Sequence, residues 1–135
     1  SRYEALRSSC HGAVEVVAGD FFAMEPQPVD IVIEHTFFCA IDPSMRKTYA
    51  EKIAQWTKPG GFLIGNFFVL GEEVVKTLPG LSLTQRGEGP PFASTVKELH
   101  GLFLSTFEEV VLRPAKNPDP DRRPGMEWVG IFRRR

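Results

Sequence analysis

The sequence predicts a single α/β domain whose sheet is mostly parallel and ends in an antiparallel C-terminal edge. Two short apolar runs, residues 14–18 and 29–33, and a longer run that is apolar on both faces, residues 62–70, have the character of buried strands. A helix-forming segment separates the second run from the third, and such alternation is typical of α/β folds. The last two predicted strands, residues 107–112 and 127–132, are joined by a linker that is short for a parallel crossover. We therefore expect them to be antiparallel neighbours in one domain that comprises residues 1–135.

The first elements are predicted from propensity and from chain breakers. Residues 2–10 predict a short helix. Residues 14–18 are rich in β-branched side chains and have a glycine on either side, which predicts a strand. Pro26 and Pro28 exclude a helix between this strand and the next.

The helix after the second strand has the clearest signals. Asp42 can cap its N-terminus, and Pro43 suits its first position. Four apolar residues then recur at helical spacing on one face: Met45, Tyr49, Ile53 and Trp56. The sequence Lys58-Pro59-Gly60-Gly61 is expected to end this helix, because proline cannot continue the hydrogen-bond ladder and glycine accepts a left-handed conformation.

A polar stretch rich in glycine and proline, residues 71–92, predicts a loop in the second half of the chain. Thr95 can cap a helix that runs to about Phe103, and Glu98, three residues further on, completes a capping box.

Composition argues against several functional classes. The 17 acidic and 16 basic residues nearly cancel, so we expect no nucleic-acid partner. No apolar stretch approaches the roughly 20 residues of a membrane span, and we expect no membrane partner. Cys10 and Cys39 lie far apart and no leader opens the chain, which predicts two thiols in the reducing cytoplasm.

Metal and nucleophile chemistry is not predicted. The three histidines have no carboxylate or cysteine at ligand spacing on a shared element, so we expect no metal site. The sequence contains no G-x-S-x-G motif, and no Ser/His/Asp set stands out.

Acidic residues followed by phenylalanine pairs stand where two predicted strands stop. The first strand leads into Gly19-Asp20-Phe21-Phe22 and the second into Glu34-His35-Thr36-Phe37-Phe38. Ligands of open α/β sheets bind beyond the carboxyl ends of the strands. The same residues also fit a turn with a capping aspartate and phenylalanines of the core, so the pattern alone leaves both interpretations open.

Five stretches occur in an order that resembles class I S-adenosylmethionine-dependent methyltransferases. They are "AGDFF", "VDIV", "TFFCAI", "MRKTYAEKIAQWTKPGG" and "GPPF". The chain is most similar to the thiopurine S-methyltransferase family and to its thiol/halide methyltransferase branch, from about Val14 to Phe132. The resemblance implies a Rossmann-like methyltransferase sheet and methyl transfer to a small thiol or halide, with iodide, bisulfide, thiocyanate and organic thiols equally compatible.

The resemblance also implies S-adenosylmethionine as the cofactor and assigns the residues that bind it. Gly19, Asp20 and Phe21 match the adenine pocket, where Asp20 can accept from the exocyclic amine. Glu34, His35 and Thr36 match the segment that contacts the methionine moiety. Relatives usually carry Asp followed by Tyr or Arg where this chain has Glu34 and His35. A protonated His35 can hold the cofactor carboxylate, and a structural role for it is equally open.

The residues that the resemblance places on the acceptor side are Phe37, Phe38, Arg46, Pro91 and Phe92. For Arg46 a plain surface position is the alternative, and Tyr49 and Trp128 are expected in the core. Displacement at a sulfonium needs alignment and exclusion of water more than proton transfer, so we name no catalytic residue.

Two family features have no counterpart in this sequence: the glycine-rich loop after the first strand and the acidic residue that binds the ribose. We therefore expect a partial methyltransferase domain, its C-terminal part, lacking the first strands of the full fold. Its partner would be the N-terminal half or a second chain. The alternative is a truncated, non-catalytic remnant, or a binding or regulatory protein with this fold.

Overall fold

The computed structural model of the chain describes residues 2–11, 13–70, 90–117 and 126–135. Three helices and four strands lie in these ranges. In chain order they are α1 (Arg2–Ser9), β1 (Val29–His35), α2 (Arg46–Trp56), β2 (Thr57–Phe68), α3 (Val96–Phe103), β3 (Phe107–Pro114) and β4 (Glu127–Arg134).

The four strands form one sheet in the order β1-β2-β4-β3. β1 and β2 are parallel, with Ile33 opposite Ile64, whereas β4 runs antiparallel to both β2 and β3. The predicted α/β class and the antiparallel C-terminal edge are therefore confirmed. β2 is the strand with a parallel neighbour on one side and an antiparallel neighbour on the other.

The predicted strand at residues 14–18 is wrong. Residues 13–18 have no regular secondary structure, and Val17 is 64% exposed. A strand is held by hydrogen bonds to a neighbouring strand, and β1 is paired on one side only, with β2. Residues 14–18 therefore have β-branched side chains but no strand to pair with in the described part of the chain.

The start of α2 is largely as predicted. Asp42 Oδ1 accepts hydrogen bonds from the Ser44 hydroxyl (2.6 Å) and amide (2.8 Å), which lower the pKa of the Asp42 carboxyl. The turn that it caps is a 3₁₀ turn, Pro43–Met45, which continues directly into α2. Met45 consequently faces outward and is exposed, so its predicted place on the apolar face is wrong.

The end of α2 differs from the prediction by two residues. The helix stops at Trp56, and Thr57, whose hydroxyl donates to the Ile53 carbonyl, already belongs to β2. Lys58-Pro59-Gly60-Gly61 therefore lies within β2, where the register with β1 shifts and Gly60 has a φ of +79°.

The predicted Thr95 cap of α3 is confirmed, because Thr95 Oγ1 accepts from the Glu98 amide at 3.2 Å. The Glu98 side chain pairs with Arg46, and its return contact to Thr95, which would complete the capping box, stays a prediction. No helix within the described ranges is both long and apolar enough to cross a bilayer.

An aromatic core lies between the helices and one face of the sheet. Its largest buried side chains come from α2, α3, the strands and the turn after β1: Phe38, Tyr49, Phe67, Phe103, Phe107 and Phe132. Gly65 and Gly130 face each other in β2 and β4 and leave room for the Phe67 ring. The sheet thus contacts α2 and α3 through aromatic rings packed edge to face or tilted, with glycines beneath them.

Replacing Gly130 with alanine is expected to destabilise the fold by about 1–3 kcal/mol, the usual cost of overpacking a core. The added Cβ would lie 2.8 Å from ring carbons of both Phe67 and Phe132, and neither buried ring can move freely. Urea unfolding measures the change. Gly101→Ala in α3 is the control, because its Cβ meets nothing within 4 Å and alanine favours a helix. Equal stabilities of the two variants would contradict this packing.

Candidate functional site

Two loops that the sequence singled out meet at the carboxyl end of β1. Residues 19–24 form the first loop, and residues 36–41 form the turn that follows β1. The Phe21 and Phe37 rings join them edge to face, with centroids 5.5 Å apart. The structure therefore brings together the segments that the resemblance assigns to the adenine and to the methionine and acceptor.

Asp20 shapes the first loop. Its Oδ1 accepts from the Phe22 amide at 2.9 Å, and its carbonyl accepts from the Ala23 and Met24 amides. Asp20 and Gly19 are both exposed, whereas Phe21 is half-buried. The capping role that the sequence left open is thus real, and contact of Asp20 with an adenine stays a prediction that its exposure permits.

Glu34 is the polar centre of the turn after β1. Its side chain is 5% exposed, and Oε1 accepts from the amides of Phe37 and Phe38, both at 2.9 Å. Oε2 accepts from the Tyr49 hydroxyl at 2.5 Å. Both carboxylate oxygens are therefore bound by the protein itself, and direct contact of Glu34 with a cofactor stays a prediction.

His35 and Thr36 lie at the exposed surface of this turn. Thr36 has a φ of +67°, a left-handed conformation that is rare for a β-branched residue, and its hydroxyl donates to the His35 carbonyl at 2.6 Å. Strained residues of this kind persist only where surrounding contacts hold them in place, and they concentrate at functional sites. Here the hydrogen bonds from the Phe37 and Phe38 amides to Glu34 hold the chain just after Thr36.

The two phenylalanines of the turn lie in different environments, one at the surface and one in the core. Phe37 is exposed and touches Phe21, Phe22 and Tyr49. Phe38 is 2% exposed and packs in the core against Phe67. Contact of Phe38 with an acceptor stays a prediction, and it would require the ring to leave the core.

The remaining acceptor-side residues lie beside the same turn. The Phe92 amide donates to the Cys39 carbonyl at 2.7 Å, which places Pro91 and Phe92 next to the segment that follows β1. Arg46 is 1% exposed, so the alternative of a surface position is wrong. Phe22 also contacts α2, since its carbonyl accepts from Lys52 Nζ at 3.0 Å.

A small open hollow, with enclosed space for about one water molecule, lies at the carboxyl ends of β1 and β2. Its lining includes Thr36 and Cys39 from the turn, Asn66 from β2 and Glu127 from β4. Asn66 Nδ2 donates to Glu127 Oε1 at 3.2 Å. Sequence reasoning did not select Asn66 or Glu127. The signal for Asn66 was present, as a single amide near the end of an otherwise apolar strand.

The described residues contain no group of histidine, cysteine, aspartate and glutamate side chains arranged to hold a metal ion. The site thus consists of aromatic rings, backbone groups and a few fixed carboxylates.

Solved structures that resemble this arrangement of helices and strands include methyltransferases. A 1,6-didemethyltoxoflavin-N1-methyltransferase from Burkholderia thailandensis, with 1,6-didemethyltoxoflavin and S-adenosylhomocysteine bound, has a TM-score of 0.69 at 17% identity, over 98% of this chain and 56% of that one. A protein of the SAM-dependent methyltransferases from Methanosarcina mazei has a TM-score of 0.63 at 18% identity, over 86% and 65% of the two chains. The fold is therefore that of S-adenosylmethionine-dependent methyltransferases.

The sequence profile of the Thiopurine S-methyltransferase (TPMT) family matches residues 1–130, and the chain belongs to this family. Among its relatives, the probable thiol methyltransferase 2 of Arabidopsis thaliana is 29% identical over 116 residues, which are 85% of this chain and 46% of that protein. Thiocyanate methyltransferase 1 of Arabidopsis thaliana is 31% identical over 97 residues, or 71% and 34% of the two proteins. The chain thus spans less than half the length of these relatives.

The buried Tyr49 hydroxyl is expected to make the fold less stable at alkaline pH. Burial first, and then the charge of Glu34 and the hydrogen bond to it, raise the pKa of Tyr49 far above its ordinary value. Below the unfolded pKa of about 10 both states hold the proton and the contribution is complete. At higher pH the unfolded chain releases it first, so the free energy of unfolding is expected to fall by about 1.4 kcal/mol per pH unit from this residue.

Urea unfolding of the protein and of its Tyr49→Phe variant, compared at about pH 9 and about pH 11, isolates this dependence. The other titrating groups are shared by the two proteins and cancel in the comparison. Parallel loss of stability in both would mean that Tyr49 is not the residue that retains its proton.

Proposed function

We propose that this protein acts in methyl transfer from S-adenosylmethionine to a small thiol or halide acceptor. The observation that carries the proposal is the meeting of the Gly19–Phe22 loop with the turn after β1, through Phe21 and Phe37, in a chain of this family. The names of the two plant relatives support a thiol or a small anion such as thiocyanate as acceptor.

The cofactor side of the proposed site is the exposed surface of these two loops. Asp20 is exposed while its Oδ1 caps the loop, which suits an acceptor for the exocyclic amine of adenine. His35 and Thr36 would contact the methionine moiety, with Glu34 behind them as the residue that fixes their backbone. Aromatic faces near a sulfonium contribute about 0.5–2 kcal/mol each, and the Phe21 and Phe37 rings are the candidates.

The acceptor side would be formed by Phe37, Pro91 and Phe92, and by the hollow that Cys39 and Asn66 line. S-adenosylmethionine supplies a methyl group on a positively charged sulfur that is a good leaving group. The protein's own residues then have to hold the acceptor in line and keep water away. A halide has no proton to lose and a thiol loses its proton at modest cost, so this proposal assigns no general base.

The proposed cofactor site also needs a second segment, beyond the residues of this sequence. Among the residues that the structure describes, β1 is paired on one side only, and its Ile33 side chain is 71% exposed. The motifs for a glycine-rich loop and a ribose-binding carboxylate are absent from this sequence. We propose that these are supplied by the N-terminal half of a longer product or by a second chain. The 135 residues alone are then expected to bind the cofactor weakly.

The exposed apolar edge of β1 and the absent glycine-rich motif also favour a second candidate, a non-catalytic remnant or binding protein that keeps the fold. The upstream coding sequence separates the two candidates. An in-frame segment with a glycine-rich loop supports the enzyme, and a stop codon supports the remnant. We propose that the protein works in the reducing cytoplasm, where free cysteines such as Cys10 and Cys39 are common.

The direct test uses the protein extended upstream by its native coding sequence. Transfer of a labelled methyl group to iodide, bisulfide, thiocyanate and a small organic thiol is measured, and transfer to at least one of them is expected. Calorimetry with S-adenosylhomocysteine reports cofactor binding. Absence of both binding and transfer would reject the proposal.

Asp20→Asn is expected to weaken S-adenosylhomocysteine binding by about tenfold, the effect of one lost hydrogen bond to a charged group. The asparagine still offers Oδ1 to the Phe22 amide, so the loop is retained, whereas its second atom can no longer accept from adenine. Asp30→Asn is the matched control, because Asp30 is exposed and pairs with Lys58 at 3.2 Å outside the site. Equal affinities of both variants would contradict the adenine assignment.

A further inference from the structure

Arg46, the first residue of α2, carries a fully buried charge whose contacts are all made to the protein. Its Nη2 donates to the Phe92 carbonyl at 2.7 Å, and its Nη1 donates to the Ala93 carbonyl at 3.1 Å. Nη1 also pairs with Glu98 Oε1 at 2.8 Å. The guanidinium therefore joins α2 to residues 92–93 and to the first turn of α3.

The same guanidinium contacts the turn after β1. Its central carbon lies 4.5 Å from the centroid of the Phe38 ring, a cation–π distance. The Phe92 amide donates to the Cys39 carbonyl in that turn, while the Phe92 carbonyl accepts from Arg46. Residue 92 is thus held through both of its backbone polar groups, one toward the turn and one toward the helix.

Chemistry explains why an arginine occupies this position. A buried charge is costly unless it is paired and hydrogen-bonded; Glu98 and the two carbonyls satisfy Nη1 and Nη2, whereas the buried Nε has no hydrogen-bond partner among the described residues. The planar fork of arginine reaches two neighbouring carbonyls from two separate nitrogens, whereas lysine offers its three N–H donors from a single nitrogen. None of these contacts leaves the guanidinium at the surface, where an acceptor would bind.

We propose that Arg46 is a positioning residue that clamps residues 92–93 against the turn after β1, and so fixes the acceptor side without touching the acceptor. The consequence for methyl transfer rests on the function proposed above. The clamp itself is measurable without any activity, because Cys39 lies on the other side of the clamped segment and lines the hollow.

The first test measures how fast iodoacetamide alkylates Cys39 in a Cys10→Ser background of the 135-residue chain. Arg46→Met is expected to raise this rate by about tenfold, because the charged hydrogen bonds that hold residues 92–93 are lost and local opening becomes more frequent. Arg46→Lys should restore part of the protection. Arg134→Met is the matched control, since Arg134 donates to the carbonyls of Ala54 (3.0 Å) and Thr106 (3.2 Å), away from the turn.

Equal acceleration by Arg46→Met and Arg134→Met would overturn the proposal, because it would reflect general loosening. Glu98→Gln is a comparison variant that separates loss of the clamp from a general folding defect in Arg46→Met. It removes the counter-charge but keeps both carbonyl contacts and an amide oxygen for Nη1, so it should accelerate the alkylation of Cys39 clearly less than Arg46→Met does. Acceleration by Glu98→Gln as large as that by Arg46→Met would show that the ion pair, and not the clamp on residues 92–93, protects the turn.

The second test uses the protein extended upstream by its native coding sequence. Arg46→Lys is expected to raise the KM for the acceptor about tenfold and to leave S-adenosylhomocysteine affinity unchanged within about twofold. A loss of cofactor affinity with an unchanged acceptor KM would overturn the acceptor-side assignment. If the parent neither binds the cofactor nor transfers methyl groups, the proposed function fails, and the Cys39 rates still decide the role of Arg46.

Discussion

The conformation of the candidate site depends on one buried carboxylate at the end of β1. Glu34 accepts the amides of Phe37 and Phe38 through one oxygen and the Tyr49 hydroxyl through the other. These contacts satisfy a charge that would otherwise be costly to bury, and they fix the path of the chain after the strand. Phe38 consequently enters the core, whereas Phe37 stays at the surface and meets Phe21. The strand, the helix α2 and both loops are coupled at this one group.

The residues at the surface of the site are therefore supported by a polar layer behind them. Glu34 lies behind the proposed cofactor side and Arg46 behind the proposed acceptor side, and each is almost completely buried. The surface itself is aromatic and carries few charges. Such a division suits a reaction in which alignment and exclusion of water matter more than proton transfer, since alignment depends on how rigidly the loops are held.

Local signals predicted part of this structure well. The Asp42 and Thr95 caps act over a few residues and are found as expected. The antiparallel pairing of the last two strands is also found as expected. Residues 14–18 show the limit of such reasoning, because a strand requires a neighbour that composition does not reveal. Arg46 shows another limit. Its burial depends on carbonyls 46 and 47 residues further along the chain, and no pattern around α2 indicates them.

The central claim is that the loop after residue 18 and the turn after β1 form one binding surface for the cofactor. Amide chemical shifts of the upstream-extended protein, followed during titration with S-adenosylhomocysteine, test it most directly. The account predicts that the largest shifts occur at residues 19–22 and 34–37, with β3 unaffected. Saturable binding whose shifts are confined to β3 or α3 would contradict it.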